Sequence, residues 1–259
     1  MMNGKRLLCL FLAFVLLVGV LPPVQAETVD TVYLDPAKGV DTNAGTEDAP
    51  VKTLAAAYGK LTQGGTVVFL SDLIWSTSAF FPACAYPVTL TSKTGAEGIV
   101  ASANMRMQAD TTFKNMTLTF NNTAMMMVSG EGHDLTIESD VKVVRNTTGQ
   151  LNITPAGRYG STLTANPTLT VKAGSWNYIY AVHGIGINGD VNVVVDGATC
   201  SYISPCYNAT VTVNVNVTVK NSTVTNLYLE PTHTDGKITS NLNVTLGDNA
   251  EVTKLDGSN

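Results

Sequence analysis

TLTVKAGSWNYI at 168–179 aligns without gaps to NVVVDGATCSYI at 192–203 and to NVTVKNSTVTNL at 216–227, both at an offset of 24 residues. A fourth copy, NVTLGDNAEVTKL at 243–255, follows at an offset of 27 with one extra residue in its turn. The apolar positions fall into four columns. Leu169, Val193, Val217 and Val244 form the first, and Val171, Val195, Val219 and Leu246 the second. Trp176, Cys200, Val224 and Val252 form the third, and Ile179, Ile203, Leu227 and Leu255 the fourth. A constant period of this length marks stacked repeats, each burying its apolar face against its neighbours. Lys172, Asp196 and Lys220 form a further column, which places opposite charges on adjacent strands roughly 4.8 Å apart. A sandwich or barrel gives no reason for that alternation at one period, whereas a stack of parallel rungs does.

The same period extends upstream. DTTFKNMTL at 110–118 aligns with DLTIESDVK at 134–142, again at offset 24, placing Phe113 on Ile137 and Lys114 on Glu138. Between and around these copies the chain is β-branched, alternating and rich in turn residues, the pattern of half-buried strands. At about 24 residues per rung, residues 66–259 make roughly eight rungs.

Residues 27–65 read differently: a strand, an Asp/Asn/Gly loop, a short helix and the Gly64-Gly65 stop. Asp48 is the expected helix cap, with Pro50 in the first turn and Leu54, Tyr58 and Leu61 on one face. Residues 1–26 have the order of a secretory signal peptide: Lys5 and Arg6, the apolar run from Leu7 to Leu21, and the small-residue exit at Ala26. The run is shorter than a spanning helix needs. The expectation is a secreted or cell-surface protein that is off the membrane once the signal is removed.

Losing Lys5 and Arg6 takes the net charge from −5 to about −7. No basic face exists to replace the counterions of a nucleic acid, and uronic-acid polysaccharides are repelled unless Ca²⁺ bridges the surfaces. The mature cysteines, Cys84, Cys200 and Cys206, are odd in number and at no zinc spacing. Cys200 lies in an apolar column and reads as a core thiol, with pairing to Cys206 the alternative.

YLDPAKGVDTNAGTEDAPVKTLAAAYGKLTQGGTVVFLSD, about 40 residues, resembles the entry segment of right-handed parallel β-helix proteins of the pectate-lyase-like superfamily, bacterial surface proteins especially. The resemblance implies an all-β, right-handed parallel β-helix whose open N-terminal end is capped by the short helix. It implies no single activity, because enzymes and non-enzymes share that entry.

Lyases of that superfamily use carboxylate-bound Ca²⁺ with an Arg or Lys base, and the mature chain offers Arg106, Arg145 and Arg158 in no recognisable lyase motif. Its hydrolases use aspartates paired across rungs, and His183-Gly184 is the single echo of their histidine motif. If the chain is an enzyme, the catalytic candidates are Asp110 over Asp134 with Glu138, near His133 and Asp140; as turn residues these simply start strands. Asp35, Asp41 and Asn43 are weak Ca²⁺ candidates that turn chemistry explains better. Tyr178 and Tyr202 share a column, with Tyr180 and Tyr207 close by, and suggest an outward Tyr stack for binding sugar rings.

Thr-x-Thr triplets at Thr89, Thr117, Thr162, Thr168 and Thr210 are irregularly spaced, so β-propensity rather than an ice-binding array accounts for them. Sequons at Asn115, Asn121, Asn146, Asn152, Asn208, Asn216, Asn221 and Asn243 would in part be glycosylated in a secretory eukaryote, whereas in a bacterial product, which the entry segment suggests, they follow from a Thr/Asn-rich composition.

The leading expectation is a secreted, non-catalytic β-helix module that binds an extracellular polysaccharide or surface glycan. Alternatives are a polysaccharide lyase or glycoside hydrolase, and the N-terminal fragment of a larger surface adhesin. No capping helix follows the last rung, so a further chain or partner is expected at that end.

Overall fold

The computed structural model describes residues 29–157, 162–184, 186–233 and 236–257. The signal segment 1–26 and Arg158 lie outside the described residues. Among the described residues no helix is long and apolar enough to cross a membrane.

The chain is an all-β parallel solenoid of about eight turns. Its first sheet has nine strands, in chain order from Thr31–Leu34 to Leu242–Leu246, and its second has eight, from Ala79–Phe80 to Glu251–Asp256. A third sheet, Leu73–Trp75, Gly98–Ala101, Thr117–Phe120 and Lys142–Arg145, completes the earlier rungs. All of the strand pairings are parallel, each strand lying on the equivalent strand of the next rung.

The four apolar columns stand in the expected register. Leu169 pairs with Val193, Val193 with Val217 and Val217 with Val244. Trp176 pairs with Cys200, Cys200 with Val224 and Val224 with Val252. From Leu169 to Leu227 these columns are buried in one continuous core. In the last rung they emerge, with Leu246 47% and Leu255 54% exposed.

The rung changes shape near residue 150. Earlier turns run through the first, third and second sheets. After Arg145 one nine-residue strand, Ser175–His183, covers the path of two. Trp176 and Ile179 both face the core, with Asn177 skipped in the pairing between them. The sharp entry is made by Gly174 at φ 92°, where a Cβ would lie 2.7 Å from the Val143 side chain. A fourth, two-stranded sheet, Thr210–Val211 with Lys237–Ile238, closes the later rungs, and bridges link Leu163, Ile187 and Val211 into the same column.

The charge column stands in the expected register and extends one rung upstream, to Glu138. Lys220 Nζ lies 3.2 Å from Asp196 Oδ2, but Lys172 Nζ binds Glu138, at 2.9 and 3.1 Å, rather than Asp196. Ile137 pairs with Val171, so the strand continues Glu138 beside Lys172. Glu138 is thereby engaged by Lys172, its expected partner Lys114 being on the opposite rung. The column reads Glu138, Lys172, Asp196, Lys220.

The one helix among the described residues, Leu54–Lys60, is also corrected in detail. Its cap is Thr53, whose hydroxyl accepts from the Ala56 N–H, and not Asp48. Val51 exchanges backbone hydrogen bonds with Tyr33 and Asp35, which holds the chain extended past Pro50. The helix therefore cannot start before Thr53. It buries Leu54, Ala57 and Tyr58 in the common core.

Candidate functional site

In an in-register parallel ladder, like residues stack at the strand spacing, which is close to the stacking distance of aromatic rings. Tyr178 and Tyr202 obey this: they are paired in register, with ring centroids 4.5 Å apart and planes within 16°. Tyr202 continues to Tyr228 at 5.9 Å, and Tyr178 lies parallel to Tyr180 at 5.1 Å. A second line of rings runs beside the first. His183 stacks on Tyr207 at 4.8 Å and meets the edge of Tyr180 at 4.9 Å, and Tyr207 touches His233 at 5.0 Å. The expected Tyr pair is thus part of a ridge of seven rings spanning three rungs.

The ring faces of the pair are turned toward each other, so the ridge presents edges and hydroxyls to solvent rather than open faces. Tyr180 and His183 are buried within it, while Tyr178, Tyr202, Tyr207 and Tyr228 are half-buried. Burial pushes the phenol groups of Tyr178 and Tyr180 upward, reinforced by the neighbouring tyrosines. These hydroxyls stay protonated, and able to donate, across neutral pH.

Beyond the ridge lies a shallow pocket of about 430 Å³ lined by Thr162, Asn188, Asn208, Thr210 and Thr212 with Gly184, Gly186, Ile187 and Ala209. Gly184 and Asn208 directly follow the stacked His183 and Tyr207 in the chain. Among the described residues no ionisable side chain lines it. Sequence reading missed this pocket because its residues come from three rungs and share no motif. Its one sequence signal was Asn208 directly after Tyr207.

A larger cleft, about 710 Å³, lies between the helix start and Leu73–Trp75 and is walled mainly by Leu54, Ile74, Trp75 and Phe80. Ile74 is 65% exposed there. Lys52 and Asp72 are the charged members of its lining.

The acidic candidates are brought together in the expected register, with Asp110 one rung from Asp134, as the Thr111 to Leu135 pairing requires. Each carboxylate holds the next rung's backbone: Asp110 Oδ1 accepts from the Asp134 N–H at 3.0 Å, and Asp134 Oδ1 from the Thr168 N–H at 2.7 Å. His133 Nδ1 lies 3.5 Å from Asp110. Asp140 accepts from the Asn115 N–H, and Glu138 binds Lys172. Arg106 makes a two-pronged ion pair with Glu131 at 2.8 and 3.0 Å while lying over the Phe80 ring. Arg145 donates to the Gly149 carbonyl.

The entry-loop candidates are similarly occupied. Asp35 Oδ1 accepts from Ala37 N, Lys38 N and Ser71 Oγ. Burial raises the Asp35 pKa, but those hydrogen bonds outweigh it and hold the carboxyl below its ordinary range. Asp41 takes the N–H groups of Lys52 and Thr53 and the Thr53 hydroxyl, while the Asn43 amide donates to the Pro50 carbonyl. All three serve turn and cap geometry.

Cys200 and Cys206 are free thiols facing different backbone carbonyls, Tyr202 and Ala209. Burial pushes them up to about 12 and about 11. They are poor nucleophiles at neutral pH, because the thiolate is the reactive form.

No family model, curated protein or solved structure matches this chain.

Proposed function

We propose that this solenoid is a secreted or cell-surface module, of the pectate-lyase-like kind its entry segment resembles, that binds a neutral glycan without transforming it. The observation that carries the reading is the uncharged, amide- and hydroxyl-lined pocket of about 430 Å³ beside the aromatic ridge. Ligand sites in this size range combine apolar surface with a few placed polar groups. Here Ile187 and Ala209 supply the apolar surface, and Asn188, Asn208 and Thr210 supply groups that both donate and accept. Sugar hydroxyls have the same dual character. A uronate would meet no cation among the described lining residues, on a protein whose net charge is −5 even with its leader.

The test is calorimetric titration of the intact chain with cellohexaose, mannohexaose, xylohexaose and chitohexaose, and with polygalacturonate as the acidic control. The expected result is binding to at least one neutral oligosaccharide and weakening by about tenfold in Tyr207→Ala, the equivalent of an aromatic contact of about 1.4 kcal/mol. Binding to polygalacturonate alone, or no binding to any neutral probe, would overturn the reading. Turnover of a probe that disappears in Asp134→Ala would overturn its non-catalytic half.

A further inference from the structure

Asn188-Gly189 is the single Asn-Gly pair in residues 27–259. Asn188 is exposed and lines the pocket of about 430 Å³. The turn around it is pinned to earlier rungs on both sides. The Asn188 N–H donates to the Leu163 carbonyl at 2.7 Å, and the Asp190 N–H to Asn166 Oδ1 at 2.9 Å. Between these two anchors, the Gly189 N–H and the Asn188 side chain have no hydrogen-bond partner among the described residues.

The stacking also fixes the glycine. A Cβ at position 189 would lie 2.0 Å from the Ala165 carbonyl oxygen, so no larger residue fits there. A glycine N–H has no side chain beside it to shield it from a neighbouring amide carbon. The turn one rung on, Asp196-Gly197, is arranged in the opposite way. There the Gly197 N–H donates to Ser222 Oγ at 2.8 Å, and the Asp196 carboxylate is held by Lys220 and the Asn221 amide. Both reacting groups are engaged in that turn, and neither is at Asn188-Gly189.

We propose that Asn188 is a site of self-modification, at which slow loss of ammonia turns the uncharged pocket into an acidic one. The Gly189 nitrogen gives up its proton and attacks Asn188 Cγ. A C–N bond closes a five-membered imide as the Cγ–Nδ2 bond breaks, and Nδ2 leaves as ammonia. Solvent water then opens the ring. Opening at Cγ gives aspartate, and opening at the backbone carbonyl gives isoaspartate with the chain running through Cγ. The net change is one amide and one water converted to one carboxylate and one ammonium, with no oxidation or reduction. Either product places a negative charge in a lining that has no ionisable side chain among the described residues. The aged pocket then attracts cations and repels anions. This chemistry stands whether or not a glycan binds there.

The test is to age the purified intact chain at neutral and at mildly alkaline pH, folded and in parallel in urea, and to locate acidified asparagines by peptide mapping with mass spectrometry. Aspartate and isoaspartate at position 188 should accumulate severalfold faster than at Asn121 and Asn208, which are also exposed but precede Asn122 and Ala209. The rate should rise with pH, because the attacking nitrogen must lose its proton. With both groups unengaged, the folded chain should react within severalfold of the urea-unfolded chain. An acidic form should also grow on ion exchange in the parent and stay absent in Asn188→Gln, whose longer side chain would need a six-membered ring. Conversion at position 188 no faster than at Asn121 and Asn208 would overturn the proposal. So would a folded chain in which position 188 stays intact while the unfolded chain reacts, since the fold would then protect the site.

Discussion

Asp35 shows how a conspicuous acidic residue becomes structural. One oxygen receives two backbone N–H groups and the Ser71 hydroxyl, tying the entry loop to the first full rung. Its folded pKa lies below the ordinary 3.8, so the unfolded chain takes up this proton first as pH falls. The stabilisation is therefore complete above the unfolded pKa and fades as pH drops through the folded one. Asp35→Asn should lower the urea midpoint near pH 7, with the gap to the parent closing near pH 3. A gap that stays constant over that range would refute the assignment. The turn role of Asp35, Asp41 and Asn43 was legible from their setting among Gly39 and Gly45, because short polar side chains beside glycines bond their own backbone. The Thr53 cap was not legible, since it depends on the bridge between Leu34 and Val51. Three sequon asparagines, Asn115, Asn208 and Asn221, prove to be turn residues at φ 43°, 49° and 47°, a conformation asparagine tolerates better than most residues.

At the scale of the strand, rung spacing leaves little tolerance where backbones approach. Gly98 opens Gly98–Ala101, and a Cβ there would lie 1.9 Å from the Thr117 carbonyl oxygen of the next rung. Gly98→Ala should therefore force the two rungs apart and cost about 2 to 3 kcal/mol in denaturant unfolding. A loss under about 0.5 kcal/mol, the size of an ordinary surface change, would contradict it. Strands also hold a regularity that linear spacing conceals. Thr31, Thr66, Thr89, Thr112, Thr136 and Thr170 stand in one outward column of the first sheet, continued by Val194, Thr218 and Thr245. The intervals vary because the entry helix and the loop after Thr154 add residues between rungs without disturbing the stacking. A search for constant spacing sees only the rungs without insertions. The adjoining column carries Glu138, Lys172, Asp196 and Lys220, so the threonines form one line beside a charged one rather than a broad hydroxyl plane.

Across the whole molecule, stability should be graded along the axis, because each rung contacts chiefly its neighbours. Cys200 and Ile203 are covered on both sides and 4% and 1% exposed, whereas Leu246 and Leu255 of the last described rung have a neighbour on one side only. Amide hydrogen exchange should accordingly be faster in Leu242–Leu246 and Glu251–Asp256 than in Val191–Asp196 and Thr199–Tyr207. Equal protection in the two regions would mean that another surface covers that end in solution.

The sequence by itself determined the solenoid, its 24-residue rung, the four interior columns and the pairing of Tyr178 with Tyr202. Those follow from a local rule: a repeat that cannot bury its apolar face alone writes the same pattern into each copy. Only the tertiary structure decided where Lys172 finds its partner, how one strand replaces two after Arg145, and that seven rings from three rungs meet beside an uncharged pocket. It alone left the Asn188 side chain and the Gly189 N–H without hydrogen-bond partners among the described residues. Those outcomes depend on which side chains become neighbours across insertions of unequal length, and a chain's linear spacing does not contain that distance.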